Sequence, residues 1–401
     1  MTYTINFTKT LGGAAVFLSL IPWFSFGLLN TDSMPWPFLA YSFFLLSLNH
    51  PIRVPKHFLV FGGILSFGMF VALASSYNPL GQNTFRSLYN YLGVMIFYIG
   101  FYNYLNKYGF PFHIFVVANI TWLMFAVLEL FLPEIASIFS NARTTEGRGI
   151  TSLAPEATFF GIYLFFSSWL IIVGSNYKLT NRLKFLIFLN IFSIFFLAKS
   201  SMVILFLVLT TLVFFGYAYL RLIWNKLIIR RTIFFGICCF IGIGAIYQTQ
   251  QGSRFVELYN QIQENIEILE IFFIDGSLNH RLEHLVYSIH GSVNNYLLPA
   301  GYDSFKALKE ILDPAYNYFF WSGLPSNKIM SWNGDWLYQL GIFGLIFVSY
   351  LIYISYDGSR LRKAEIFLLV LLLFSAIPLA FPLISMLLAL YALKSKSQYN
   401  E

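Results

Sequence analysis

The chain has 401 residues, of which 58% are hydrophobic, 20% aromatic and only 11% charged, against about 25% charged in an average soluble domain. That balance excludes an ordinary water-soluble domain. Two adjacent cysteines, Cys238 and Cys239, exclude both a disulfide framework and a CxxC metal or redox site.

Apolar runs near the roughly 20 residues that cross a bilayer as a helix recur along almost the whole chain. They are too long and too evenly apolar for the alternating strands of a barrel, and inside hydrocarbon every backbone group must be satisfied within its own segment. The sequence therefore predicts an all-α polytopic membrane protein, with residues 1–401 forming one transmembrane domain. The stretch Met1–Thr10 is polar with one lysine, and no small-residue cleavage site closes the run after it, so it reads as the start of a retained helix. Spans are predicted at Leu11–Leu29, Trp36–Leu48, His57–Ser75, Phe85–Tyr104, Phe112–Leu132, Glu156–Gly174, Lys184–Ala198, Ser201–Tyr219, Thr232–Tyr247 and Asp335–Tyr353. A last run, Ala364–Leu393, is broken by Pro378 and Pro382. It reads as one kinked helix or as two short passes, and two passes make twelve spans in place of eleven.

Lysines and arginines concentrate in cytoplasmic loops, so their placement orients the chain. With the N-terminus inside, the inner set is Lys9, Arg53, Lys56, Lys107, Lys178, Arg182, Lys184, Arg221, Lys226, Arg230, Arg231, Arg360, Arg362 and Lys363, which is 14 of 25. Two passes at the end add Lys394 and Lys396, for 16 of 25, and this is the preferred reading. The net charge of +7 is thereby a topology signal and not a nucleic-acid footprint.

Two stretches fall on the outer side and are too long for tight connections: residues 133–155 and residues 248–334, the latter 87 residues long. Long ordered loops usually carry function. In the larger one, apolar residues from Phe255 to Leu269 mark an amphipathic helix, and further helices are predicted over Ser277–Ile289 and Ser304–Leu312.

The shorter loop carries Arg143, Glu146, Arg148 and Gly149, then Pro155-Glu156 opening a helix. Proline and glutamate suit a first helical turn, and Ser152 is a candidate cap. Helix mechanics does not account for Arg143 and Arg148 on the outside, against the positive-inside bias. A guanidinium is a permanently charged planar fork that matches phosphate oxygens, so these arginines point to a phosphate ligand. The larger loop supplies Asn279-His280-Arg281-Leu-Glu283-His284. His280, Glu283 and His284 match the H-x-x-E-H pattern of one zinc peptidase class, whereas the same helix offers Arg281 as a pyrophosphate ligand and His284 as a proton shuttle. Glu129 lies inside the fifth span near its outer end, where an acid is either functional or turned toward water. Lys199, in a tight outer turn, is an anchor or a further cation for the same ligand.

The run Arg148-Gly149 into Ser152-Leu-Ala-Pro-Glu156-Ala-Thr-Phe-Phe-Gly161 resembles the R-G-x-x-x-E-P-S-x-x-G region of the Wzy-type O-antigen and capsular polysaccharide polymerases, although here Pro precedes Glu. Arg281 followed by Leu298-Pro299-Ala300-Gly301-Tyr302 is similar to that family's R…N-P-x-G-x-G. The large loop before the last spans matches too, as does Asp335-Trp-Leu-Tyr-Gln-Leu-Gly341 at a loop-to-helix junction. The resemblance implies a GT-C-type bundle and a metal-independent glycosyltransferase of the bacterial inner membrane with its site facing the periplasm. Donor and acceptor would be glycans on undecaprenyl pyrophosphate, with a chain-length regulator as a further partner and no cofactor. It further implies Arg148 and Arg281, with Arg143 and Lys199, around the pyrophosphate and Glu156 or His284 as base. Related ligases have His-Asn before the last-loop helix, where this chain has Trp332-Asn333-Gly334-Asp335. That difference favours a polymerase over a ligase. A flippase or other transporter would show inverted repeats or charged midplane helices, and neither is evident.

Overall fold

The computed structural model describes residues 7–24, 34–134, 149–222, 276–320 and 328–398. Every regular element among them is helical: α1 Phe7–Ser19, α2 Trp36–Leu46, α3 Phe58–Ala74, α4 Gln82–Tyr108, α5 Phe112–Phe131, α6 Ala157–Gly174, α7 Asn181–Ser193, α8 Ser201–Leu222, α9 Gly276–Asn294, α10 Phe305–Tyr316, α11 Trp332–Gln339, α12 Gly341–Ile354, α13 Arg360–Leu372 and α14 Pro382–Gln398. A π-helical turn, Ile194–Ala198, prolongs α7. Among the described residues three helices are long and apolar enough to cross a membrane: Phe112–Phe131, Ala157–Gly174 and Asn181–Ala198. The shorter apolar helices include α2, α3 and α12. At 1.5 Å per residue the 11 residues of α2 reach about 17 Å, well short of the roughly 30 Å hydrocarbon core. Pro35 and Pro37 hold it to that length at its start.

The spine is α4, 27 residues and about 40 Å long. It packs along α14 and α2, while α14 also meets α6, and α3 lies against α12. Small residues allow the close approaches: a side chain at Gly100 of α4 would run into the Tyr41 ring on α2. Three helices are further joined by side chains that answer one another in a dry interior. Asn119 on α5 donates to Ser167 on α6 at 2.7 Å, and Asn190 on α7 donates to Asn119 at 2.8 Å and to Ser168 at 3.0 Å. Outward residues such as Leu59, Phe70, Met124 and Phe185 are exposed, as lipid contact requires.

The final apolar run is two helices. α13 ends at Leu372 and α14 begins at Pro382. Pro378 and Pro382 lack the N–H groups that would carry one helix through. The two arms are antiparallel, because the Arg362 guanidinium near the start of α13 stacks over the Tyr391 ring near the end of α14, 3.7 Å from its centroid. The predicted Asp335–Tyr353 span is likewise divided. Gly341 takes φ 55° between α11 and α12, tight against the Leu297 carbonyl, which accepts the Ile342 N–H at 2.8 Å. The predicted Thr232–Tyr247 span, the Phe255–Leu269 helix and both cysteines lie outside the described residues.

At one end of the bundle, helix ends and connecting segments are joined by hydrogen bonds. Asn103 on α4 brackets Arg53, accepting its N–H at 2.8 Å and donating to its carbonyl at 2.7 Å. Tyr350 donates to the Lys56 carbonyl at 2.6 Å, and Lys394 reaches the Val173 carbonyl and Asn176. Here Arg362, buried, pairs with Asp357 and Glu365, each at 3.3 Å, while the Tyr177 hydroxyl donates to Glu365 at 2.6 Å. Removing one partner of a buried ion network leaves an uncompensated charge. Arg362→Ala is therefore expected to cost about 3–5 kcal/mol, read as a large fall in thermal midpoint of the purified protein. Arg360→Ala, at an exposed position, is expected to leave the midpoint nearly unchanged.

Candidate functional site

At the opposite end of the bundle lies a cavity of about 450 Å³. Its wall includes Asn83, Arg86, Ser87 and Asn90 from the start of α4; Glu156, Thr158 and Phe159 from the start of α6; and Arg281 from α9. Asp303 and Phe305, Lys328 to Met330, Asp335 and Gln339 of α11, and the 376–380 break between α13 and α14 complete it. Glu156 and Arg281, singled out in two motifs 125 positions apart, thus line one space. Three cations (Arg86, Arg281, Lys328) and three acids (Glu156, Asp303, Asp335) share that wall with the apolar Phe159, Ile377 and Leu379.

Local geometry explains how each segment reaches the wall. Glycines of two sequence motifs have left-handed backbone, a conformation that costs other residues about 1–2 kcal/mol. Gly149 has φ 100° and lies against the Ala198 carbonyl, while the neighbouring Ile150 N–H donates to Leu197 O at 2.9 Å. Gly301 has φ 87°, and a side chain there would meet the Ser75 carbonyl at 2.7 Å. Beside it the Tyr302 N–H donates to Ser76 Oγ at 2.8 Å, tying the large loop to the end of α3. Asn83 donates to Asp303 at 2.9 Å, and Gln339 donates to Asp335 at 3.2 Å, so two of the acids are held in place. Ser331 caps α11, accepting the Gly334 N–H at 3.1 Å.

Several expectations need correction. Ser152 does not cap α6: its hydroxyl donates to the Trp122 carbonyl at 2.7 Å, and Glu156 itself occupies the cap position in extended conformation without capping through its side chain. Lys199 is exposed in a left-handed turn with φ 46° and is not part of the cavity wall. Arg143 and Arg148 lie outside the described residues.

His284 is fully buried and does not line the cavity. The Met330 N–H donates to its Nδ1 at 3.0 Å, so that nitrogen carries no proton. Burial, with His280 and Lys309 nearby, lowers its pKa to about 3, so the ring is neutral and its proton sits on Nε2. That proton is donated to His280 Nε2 at 3.1 Å, which places the His280 proton on Nδ1. Both His284 nitrogens are thereby engaged, Nδ1 with Met330 of the cavity wall and Nε2 with His280, and the geometry does not suit a proton shuttle. The nearest ligand atoms of His280, Glu283 and His284 lie within 4.8 Å of one another, a spacing a metal ion can bridge. The same hydrogen bonds work against it. A zinc ligand needs a bare nitrogen where His284 Nε2 carries its proton, and the Lys309 ammonium already sits 2.6 Å from Glu283.

Arg86 and Lys328 were not singled out from sequence. Arg86 lies at the outer end of the predicted Phe85–Tyr104 span and, like Arg148, is a guanidinium against the positive-inside bias, a signal that could have found it. Lys328 had no signal, because only the fold brings its loop to the wall. A scan against known protein families, a search of curated proteins and a search of solved structures each return no match to this chain.

Between pH 6.5 and 3 the unfolded chain holds a proton on His284 that the folded chain does not. The stability that neutral His284 confers is complete above 6.5 and is lost as pH falls toward 3, at up to ~1.4 kcal/mol per pH unit. Thermal midpoints measured from pH 7 to 4 are expected to decline less steeply in His284→Gln than in the unchanged protein.

Proposed function

We propose that this chain is a polysaccharide polymerase that transfers a glycan from undecaprenyl pyrophosphate to a sugar hydroxyl of a second lipid-linked repeat unit. The reading places the protein in a bacterial inner membrane with its basic end in the cytoplasm, following the positive-inside bias, and the cavity toward the periplasm. The observation that carries it is the meeting of Glu156 and Arg281 with Arg86 and Lys328 around one cavity that also has an apolar wall.

The chemistry needs few parts. The bond from the anomeric carbon to the pyrophosphate oxygen breaks, the bond to the acceptor oxygen forms, and the hydroxyl proton must go to a base. Arg86, Arg281 and Lys328 would stabilise negative charge developing on the departing pyrophosphate, at a site where low dielectric strengthens each contact. Arginine suits this because its donors match phosphate oxygens in pairs. Glu156 would accept the hydroxyl proton. The apolar surface of Phe159, Ile377 and Leu379 would receive the first part of the lipid chain. Arg148 and Arg143 enter as pyrophosphate ligands on the sequence alone, and Lys199 drops out.

Deletion of the gene, complemented with each variant and read on a lipopolysaccharide or capsule gel, tests the proposal. Arg281→Ala, Arg148→Ala and Glu156→Gln are each expected to remove long chains and leave a single-repeat band, with the protein still present in the membrane fraction. Arg86→Ala is expected to shorten or remove the ladder as well, through a loss on the order of 100-fold in transfer rate. Chains of normal length in all four variants would sink the assignment. Complete loss of glycan from lipopolysaccharide in the deletion strain would point to a ligase instead.

A further inference from the structure

We infer that Glu129, on α5, is a positioning residue that sets the 149–156 segment and through it aims Glu156 into the cavity. The inference rests on the polymerase reading, with Glu156 as the group that takes the proton. An acid near the outer end of a membrane helix can extend into water, and Glu129 does not. Thr151 donates its N–H to both carboxylate oxygens at 3.0 Å and its hydroxyl to Oε1 at 3.0 Å. The Ser152 N–H donates to Oε2 at 2.5 Å. Two consecutive backbone N–H groups thus converge on one carboxylate, the arrangement by which a turn makes a nest for an anion. The turn exists because Ser152 has a left-handed φ of 54°, unusual for a residue with a side chain. Its hydroxyl is spent on the Trp122 carbonyl, one face of α5 below Glu129.

From this nest to Glu156 the chain has no slack. Leu153 and Ala154 are buried at 1% and 0% exposure, and Glu156 follows two residues later. The other end of the segment is fixed at Ile150, bonded to Leu197 on the far side. The carboxylate is therefore the only acceptor among the described partners of both the Thr151 and Ser152 N–H groups. Glutamine at 129 keeps the shape, with one oxygen at the Oε2 position where both N–H groups converge, but it sets an amide donor at the Oε1 position against the Thr151 N–H and removes the negative charge that the nest holds. Aspartate keeps both acceptor oxygens on a shorter arm. Of the cations assigned to the donor's phosphates, Arg86, Arg281 and Lys328 stand on other elements, and the Ile150 bond to Leu197 stands between the nest and Arg148. A displaced 151–156 segment should consequently slow transfer far more than it weakens donor binding.

Purified protein in lipid nanodiscs, supplied with lipid-linked repeat units from the native strain, separates these effects. Glu129→Gln is expected to lower kcat on the order of 100-fold, the cost of a misplacement of about 1 Å, with KM for the donor within about twofold. Glu129→Asp is expected to recover a large part of the rate. In parallel, backbone hydrogen exchange at 151 and 152 should accelerate in Glu129→Gln while the helices keep their protection. Unchanged kcat, or a higher KM with kcat intact, overturns the inference even though Arg281→Ala and Glu156→Gln remain inactive. Wild-type protein that elongates nothing instead sinks the polymerase reading. In that event the exchange measurement stands alone, and unchanged protection at 151 and 152 overturns the Glu129 clamp.

Discussion

Backbone carbonyls and amides that a broken helix leaves unpaired need partners once they are buried, and the cavity end of this protein is built from such breaks. Between α13 and α14 the Leu373 carbonyl accepts the Asn333 N–H at 3.0 Å and the Leu379 carbonyl accepts the Trp332 ring N–H at 3.2 Å, while in the last turn of α13 the Val370 carbonyl accepts from Asn333 Nδ2 at 3.1 Å. The start of α11 therefore completes the break in α13–α14, and each holds the other in position. The same exchange recurs at Leu197, answered by Ile150, and at Leu297, answered by Ile342. Because the breaks satisfy one another across the chain, residues far apart in sequence are brought to one wall without a continuous helix passing through it.

Charge is distributed differently at the two ends. At the basic end Arg362, Asp357 and Glu365 neutralise one another, and the nearby guanidinium–tyrosine stack joins α13 to α14. There the hydrogen bonds of the Asp357 carboxylate to Ser359 and the Arg362 charge beside it hold its pKa below the ordinary carboxylate value, although burial acts in the opposite sense. At the cavity end cations and acids line an open space, a layout suited to a ligand that carries both negative charge and hydroxyl groups. Beside that space, the second small core of Tyr287, Phe305, Leu312, Phe320, Ile329 and Tyr338 keeps α9, α10 and α11 together.

Much of the helical frame was legible in the sequence because hydrocarbon demands long apolar runs, and those runs survive as α3 to α8 and α12 to α14. The helix over Ser277–Ile289 was legible for a different reason, its amphipathic period, and it extends over Gly276–Asn294. Periodicity is blind to breaks that tertiary bonds repair, so the division at Gly341 was not read. Of the residues that line the cavity, Glu156 and Arg281 were singled out in the sequence by the Pro-Glu helix start and the Arg281 helix read beside the family resemblance. The protons of His280 and His284 were not, since they follow from the Met330 N–H, 46 residues away in sequence.

The two motif glycines, Gly149 and Gly301, impose something on any relative of this chain. Apolar residues of the bundle can exchange for one another at small cost so long as volume is kept. Neither glycine can, because each combines a left-handed backbone with a carbonyl in contact, Ala198 for one and Ser75 for the other. Descent in this lineage would therefore erase most of the sequence while leaving a sparse signature of such glycines, Gly341 against the Leu297 carbonyl being a third. Kinship would persist in that spacing long after overall identity had decayed.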